Sequence, residues 1–177
     1  LAFVAALYPS MSAHSSEPVE LKKILMKSLW YLTLLGAPIV FGLWSLAPEI
    51  IGAFYGSEYS GSVLPLQVLV FVLLFIFLDY PLGSLLNATN RQMTKTAIMG
   101  GTMVINIVAN LILLPRFGVL GACISALICF AFMFGGGWVA VHRAIGLGVR
   151  ELAYVIGPLI FSAIIMATSV TLIKPYV

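Results

Sequence analysis

Residues 117–141 form an unbroken run without one charged side chain. About 20 mainly apolar residues are what a helix needs to cross the hydrocarbon core of a bilayer. Because lipid offers no water to unpaired backbone groups, such a run spans as a helix and not as an isolated strand. Composition agrees, since 62% of the 177 residues are hydrophobic and 8% are charged, against roughly 45–50% and about 25% in soluble domains. The sequence predicts an all-α integral membrane protein.

The same apolar character returns along most of the chain. Five stretches are long enough to span a bilayer, and residues 1–9 have the composition of the tail of another helix. The chain opens inside an apolar run and stops abruptly, so we expect residues 1–177 to form one transmembrane unit of a longer protein. The predicted spans lie at about 28–51, 63–86, 97–114, 117–141 and 152–173.

Basic residues collect in alternate loops. Seven of the nine Lys and Arg residues lie in loops 10–27, 87–96 and 142–151, which follow the helix tail and the second and fourth spans. Cytoplasmic loops of membrane proteins carry an excess of Lys and Arg. The sequence therefore predicts a multi-pass protein of the cell membrane with these three loops in the cytoplasm.

Three prolines, Pro38, Pro81 and Pro158, fall inside predicted spans. Each removes a backbone hydrogen bond and crowds the preceding turn. Membrane helices tolerate this where a neighbour or a cavity satisfies the freed carbonyl. Such kinks can act as hinges in a transporter, although membrane helices of every function contain prolines. The three are candidate hinges.

An acid inside the second predicted span is costly to place in a bilayer. Asp79 lies roughly 24 Å along its helix at about 1.5 Å per residue, in the half predicted to be cytoplasmic. Ionisable side chains at such depth usually face protein or water. Asp79 is either a cavity-wall or proton-coupling residue, or an acid that reaches the interface or pairs with Arg91 or Lys95. Helical spacing predicts that Gly83, Asn87 and Asn90 lie on the same helical face as Asp79.

A second polar stripe lies in the third span, where Thr102, Asn106 and Asn110 follow at steps of four. Asn side chains in a bilayer mostly form hydrogen bonds between helices, and a polar cavity lining is the alternative. Glycines at 100–101 and 135–137 permit close backbone approach or local bending, with packing as the default interpretation.

Features of other protein classes are missing from the sequence. His14 and His142 have no Cys or carboxylate companions for a metal. Cys123 and Cys129 point about 240° apart on a helix and cannot bridge each other. There are no paired carboxylates, no nucleophile beside a base and no Gly-rich nucleotide loop, and no Lys or Arg lies inside a predicted span. We therefore expect no enzyme, no catalytic or metal site, no cofactor and no nucleic-acid partner.

An ordered set of motifs carries a family resemblance. "LYPSMS", "APEIIGAFYGSEY", "LNATNRQ" and "INIVANLILLPRFGVLGACISAL" occur in that order. Together they resemble the C-terminal half of a polysaccharide-biosynthesis flippase of the multidrug/oligosaccharidyl-lipid/polysaccharide exporter superfamily. The strongest part of the likeness is the last motif, which contains Asn106, Asn110, Pro115, Arg116, Gly118 and Gly121.

The resemblance implies a transporter of about 12–14 helices in two lobes that rock around a central cavity. Residues 1–9 would then end helix 8, the five spans would be helices 9 to 13, and an N-terminal lobe of the same chain would be missing. The family's loops after helices 8, 10 and 12 are cytoplasmic, in agreement with the charge pattern. The implied function is to flip a lipid-linked oligosaccharide between leaflets by alternating access, with that substrate and membrane lipids as partners.

Two alternatives stay open at this stage. A multidrug and toxin exporter shares the fold and exchanges cations for H⁺ or Na⁺, and Asp79 would suit a cationic substrate or a coupling proton. The superfamily's flippases commonly have cationic cavities for a pyrophosphate, whereas the predicted spans supply no cation. The third possibility is an inactive membrane scaffold or truncated gene product, because one lobe alone cannot form a two-lobe cavity.

Overall fold

The computed structural model describes residues 2–173, with the side chains of 7–148 and most of those of 150–166. The described chain is helical without a strand, which confirms the all-α prediction. A short 3-10 segment, Ser57–Ser62, precedes the fourth helix. The helices are α1 Ala2–Ala13, α2 Pro18–Ser45, α3 Ala47–Phe54, α4 Val63–Ala88, α5 Gln92–Phe117, α6 Val119–Ile145 and α7 Val149–Ile173.

Among the described residues, α2, α4, α5 and α6 are each long and apolar enough to cross a membrane. The predicted fifth span, 152–173, lies in α7, whose described apolar part is Ala153–Met166. Within the predicted tail at 1–9, α1 begins at Ala2, and it continues to Ala13. Several helices extend beyond the apolar spans, because their polar ends continue the same backbone hydrogen bonding.

The first predicted span is two helices instead of one. α2 ends at Ser45 and α3 begins at Ala47, with Leu46 between them at φ −94° and ψ 6°. The break precedes Pro48, which lies in the first turn of α3, where a missing N–H costs no helical bond. Pro48 cannot donate to the carbonyl of Trp44, and the Gln67 side-chain amide of α4 donates to that oxygen at 3.1 Å instead. The sequence analysis missed this break.

Helix α4 lies at the centre of the packing. It contacts α1, α2 and α6, while α7 packs on α2 and α5 packs on α6. The buried core follows this arrangement, with Leu25 and Leu29 of α2 and Val141 of α6 packed around the fully buried Leu82 and Leu85 of α4. None of the residues of α5 is buried, so this helix is peripheral and its large apolar side chains face outwards.

Helices α5 and α6 are joined by Gly118 alone. Its φ of 56° and ψ of −136° lie in a region that only glycine adopts readily. A Cβ at Gly121 would overlap the backbone carbonyl of Leu113 and lie 3.1 Å from Leu114 N. The first turn of α6 therefore packs directly on the backbone of the last turns of α5, which explains both glycines of the "PRFGVLGA" motif.

Candidate functional site

Asp79 lies at a junction of three helices and is 8% exposed. Lys95 extends from the first turn of α5 and places its Nζ 3.8 Å from Asp79 Oδ2. That separation is an ion pair slightly longer than a direct hydrogen bond. The predicted span began at residue 97, whereas α5 begins at Gln92. Lys95 therefore lies ahead of the predicted span, on the first turn of α5, from which its side chain reaches Asp79.

Two glycines make room for this pair. A Cβ at Gly83, one turn after Asp79 on α4, would collide with the Lys95 side chain. On α6, a Cβ at Gly137 would lie 3.3 Å from Asp79 Oδ1 and 3.5 Å from Leu82 Cδ1. The Lys95 side chain therefore crosses the α4 backbone at Gly83 to reach the Asp79 carboxylate. Helix α6 packs close to the same carboxylate at Gly137.

The cavity around the pair is narrow. Its walls also include Leu86 of α4, Ile98 and Met99 of α5 and Met133 of α6. The free space is about 10 Å³, which is room for about one water molecule. Asp79 therefore has a cation and three helices around it and no space for an oligosaccharide or a drug. Of the alternatives left open by the sequence, the geometry matches pairing with Lys95.

The polar face predicted from Asp79 ends sooner than helical spacing suggested. Asn87 is exposed near the end of α4. Asn90 lies beyond the helix with a left-handed φ of 57°. Its N–H donates to Asn87 O at 3.2 Å and the Arg91 N–H donates to Leu86 O at 2.7 Å, the bonds of a Schellman helix end. Asn90 ends α4 and does not share the helical face of Asp79.

The second stripe bonds within its own helix and to α6. Thr102 Oγ1 donates to Ile98 O at 2.9 Å, and Asn110 Nδ2 donates to Asn106 Oδ1 at 3.1 Å. Asn106 Nδ2 in turn donates to Cys129 Sγ of α6 at 3.4 Å. These half-buried side chains satisfy one another along the α5–α6 contact, an arrangement that suits the packing alternative.

The candidate hinges lie in unbroken helices where the structure describes them. Pro38 lies within α2 and Pro81, which is buried, lies within α4. The position of Pro158 falls in α7, and its side chain is outside the described residues. Within the first predicted span, the backbone departs from helical geometry at Leu46 and not at Pro38. The hinge role stays a prediction.

Sequence reasoning missed a groove that contains two cations. Arg91 before α5 and Arg143 in the last turn of α6 line one cavity of about 720 Å³. The sequence did place both arginines in loops predicted to lie on one side of the membrane. It could not show that the packing of α5 on α6 brings the two arginines to one groove.

Among the described residues, no group of three or more His, Cys, Asp or Glu side chains could hold a metal. Cys123 and Cys129 are buried free thiols.

Comparison with known proteins adds a family and a relative. The MatE family model matches residues 14–112. The chain is 26% identical over 132 residues to the "Probable low-salt glycan biosynthesis flippase Agl15" of Haloferax volcanii, an alignment that covers 73% of this chain and 28% of that protein. No solved structure matches the chain.

Proposed function

We propose that this chain, which belongs to the MatE family, is part of a flippase that moves a lipid-linked oligosaccharide between the leaflets of the cell membrane. Membrane transport by a multi-pass protein is the activity at the level of the family. The relative named a probable glycan biosynthesis flippase supports this choice of substrate class. The chain spans 28% of that relative's length, so the activity belongs to a larger assembly of helices.

The physical task explains why such a carrier is needed. Burying an unpaired hydroxyl in hydrocarbon costs several kcal/mol, roughly 4–8 on apolar-transfer scales. An oligosaccharide has many hydroxyl groups, so its barrier to crossing the bilayer unaided is high. A polar passage that opens alternately to each side removes that barrier while the lipid tail stays in the bilayer. In our proposal this chain supplies one lobe of that passage, and a second lobe supplies the facing wall.

The observation that carries the choice between flippase and drug exporter is the Asp79–Lys95 ion pair. A cation exporter needs an acid that is free to bind a cation or a proton. The nearby ammonium, the glycine contact from α6 and the narrow cavity favour a structural role for Asp79. In our proposal Asp79 therefore holds α4, α5 and α6 together, and substrate contacts lie elsewhere.

The experiment that tests this function is transport in reconstituted vesicles by the full-length protein. A fluorescent lipid-pyrophosphate oligosaccharide and a cationic dye are compared side by side, with and without an imposed proton gradient. We expect the sugar to appear in the opposite leaflet, and we expect no dye movement. Proton-driven dye efflux with the lipid unmoved would favour the drug exporter and reject the flippase.

We also propose that loops 10–27, 87–96 and 142–151 face the cytoplasm, in keeping with their basic residues. Lys22 and Glu151, which form an ion pair at 2.5 Å, join the starts of α2 and α7, so two of these loops lie at the same end of the bundle. Ser15 is exposed at that end, and Ser60 is exposed in the 3-10 segment that precedes α4.

Single cysteines at Ser15 and Ser60 test this orientation in a protein whose two buried cysteines are replaced by alanine. A membrane-impermeant maleimide is expected to label the Ser60→Cys protein in intact cells. The Ser15→Cys protein is expected to react only after the membrane is permeabilised. Labelling of the Ser15→Cys protein in intact cells would invert the orientation.

A further inference from the structure

An open groove runs between α5 and α6 at the end of the bundle where basic loops gather. Arg91 and Arg143 stand at its mouth, and its cavity volume is about 720 Å³. Below the arginines, Ile98 of α5 and Phe132 and Val139 of α6 form apolar walls. Since α5 is peripheral and packs mainly on α6, the groove opens at the side of the bundle.

The two arginines differ from three of the four lysines in the basic loops, Lys27 being the fourth, which is exposed and has no ion pair among the described residues. Lys22 pairs with Glu151, Lys23 with Glu20 and Lys95 with Asp79. By contrast, no described residue forms an ion pair or side-chain hydrogen bond with the guanidinium of Arg91 or Arg143. No acidic side chain lines the groove. The groove therefore has two uncompensated positive charges within the described part of the chain.

The length of the groove matches one leaflet. Arg143 and Phe132 are separated by about three helical turns of α6, or roughly 16 Å at 1.5 Å per residue. The hydrocarbon core of one leaflet is about half of the roughly 30 Å of the whole bilayer. With the guanidiniums at the helix ends, where headgroups lie, the apolar walls extend to the depth that one acyl chain reaches.

We propose that this groove binds one anionic phospholipid of the surrounding bilayer. Its phosphate lies between Arg91 and Arg143, and one acyl chain lies along Ile98, Phe132 and Val139. Guanidinium groups form strong, charge-assisted hydrogen bonds to phosphate oxygens, and basic pockets between membrane helices bind anionic headgroups. The opening beside α5, at the outer surface of the described helices, suits a lipid of the bilayer. This proposal is independent of the transported substrate.

The charge requirement is tested with the full-length protein in nanodiscs of phosphatidylcholine that contain a minority of phosphatidylglycerol. Retained lipids are counted by native mass spectrometry after release from the discs. We expect the wild-type protein to retain phosphatidylglycerol in preference to phosphatidylcholine. Arg91→Gln or Arg143→Gln should each lower that preference about tenfold, the effect of losing one hydrogen bond to a charged group.

The matched control is Arg150→Gln. Arg150 is exposed at the same end of the bundle but does not line the groove, so this variant has the same change in net charge. We expect its lipid preference to equal that of the wild type. An equal loss in all three variants would mean that general surface charge attracts the lipid, and it would overturn the proposal.

The acyl-chain part has its own test at Gly135, which lines the groove and whose added Cβ would meet no atom within 4 Å. Gly135→Leu should fill the groove and abolish retention of phosphatidylglycerol without changing charge, whereas Gly135→Ala should retain it. Circular dichroism checks that each variant keeps its helices. Normal retention of phosphatidylglycerol by Gly135→Leu would overturn the proposal.

Discussion

Replacing Lys95 with methionine should destabilise the protein by about 1–3 kcal/mol, the usual cost of leaving a buried polar group without its partner. Asp79 is 8% exposed, and its Oδ1 lies close to Gly137 of α6. Without the ammonium, its carboxylate has no cation among the side chains lining its cavity. The free energy of unfolding, measured by reversible denaturation in mixed micelles, reports the loss.

The partner variant should be milder. In Asp79→Asn the remaining charge belongs to Lys95, which starts from the first turn of α5 with a quarter of its side chain exposed. A long lysine there can turn its ammonium towards the interface, so we expect a smaller loss than for Lys95→Met. The double variant should recover most of the Lys95→Met loss, because neither charge remains buried. Additive losses in the double variant would show that the two side chains do not act as a pair.

The second large effect is expected at Gly121. In Gly121→Ala the new methyl group would overlap the carbonyl of Leu113, and this neighbour is backbone that cannot rotate away. We expect a loss at the upper end of the roughly 1–3 kcal/mol that overpacking costs, with reduced yield of folded protein. Unfolding of purified protein and the folded fraction in membranes are the measurements.

Gly100→Ala is the matched control for this effect. Gly100 lies inside α5, and an added Cβ there would meet no atom within 4 Å. Alanine favours a helix by about 1 kcal/mol over glycine, so Gly100→Ala should be neutral or stabilising. If Gly121→Ala were as stable as Gly100→Ala, the close contact between α5 and α6 would be wrong.

Long apolar runs made the membrane helices predictable because the bilayer permits few other structures for them. α4 matches its predicted span within two residues, since both of its ends coincide with a change from apolar to polar sequence. The break at Leu46 was not predicted because a proline near the end of an apolar run can either kink a helix or begin a new one. The Gln67 amide, which resolves that choice, comes from a different helix.

The candidate site shows the same limit. Asp79 was identified from its depth in the membrane, and Lys95 was one of two possible partners. Helical spacing placed Asn90 on the same face because it assumes that the helix continues, but α4 ends at Ala88. The space that Gly83 and Gly137 leave around the ion pair depends on how three helices pack. No local pattern in the sequence encodes that packing.

The most direct test of the whole account is to measure lipid-linked oligosaccharide flipping by the full-length Asp79→Asn/Lys95→Met protein beside the wild type, in vesicles with equal amounts of folded protein. If the pair is structural and the protein is a flippase, both proteins should move the sugar to the opposite leaflet at similar rates. A wild-type protein that flips and a folded double variant that does not would make Asp79 or Lys95 part of transport. A wild-type protein that moves only the cationic dye would contradict the proposed function itself.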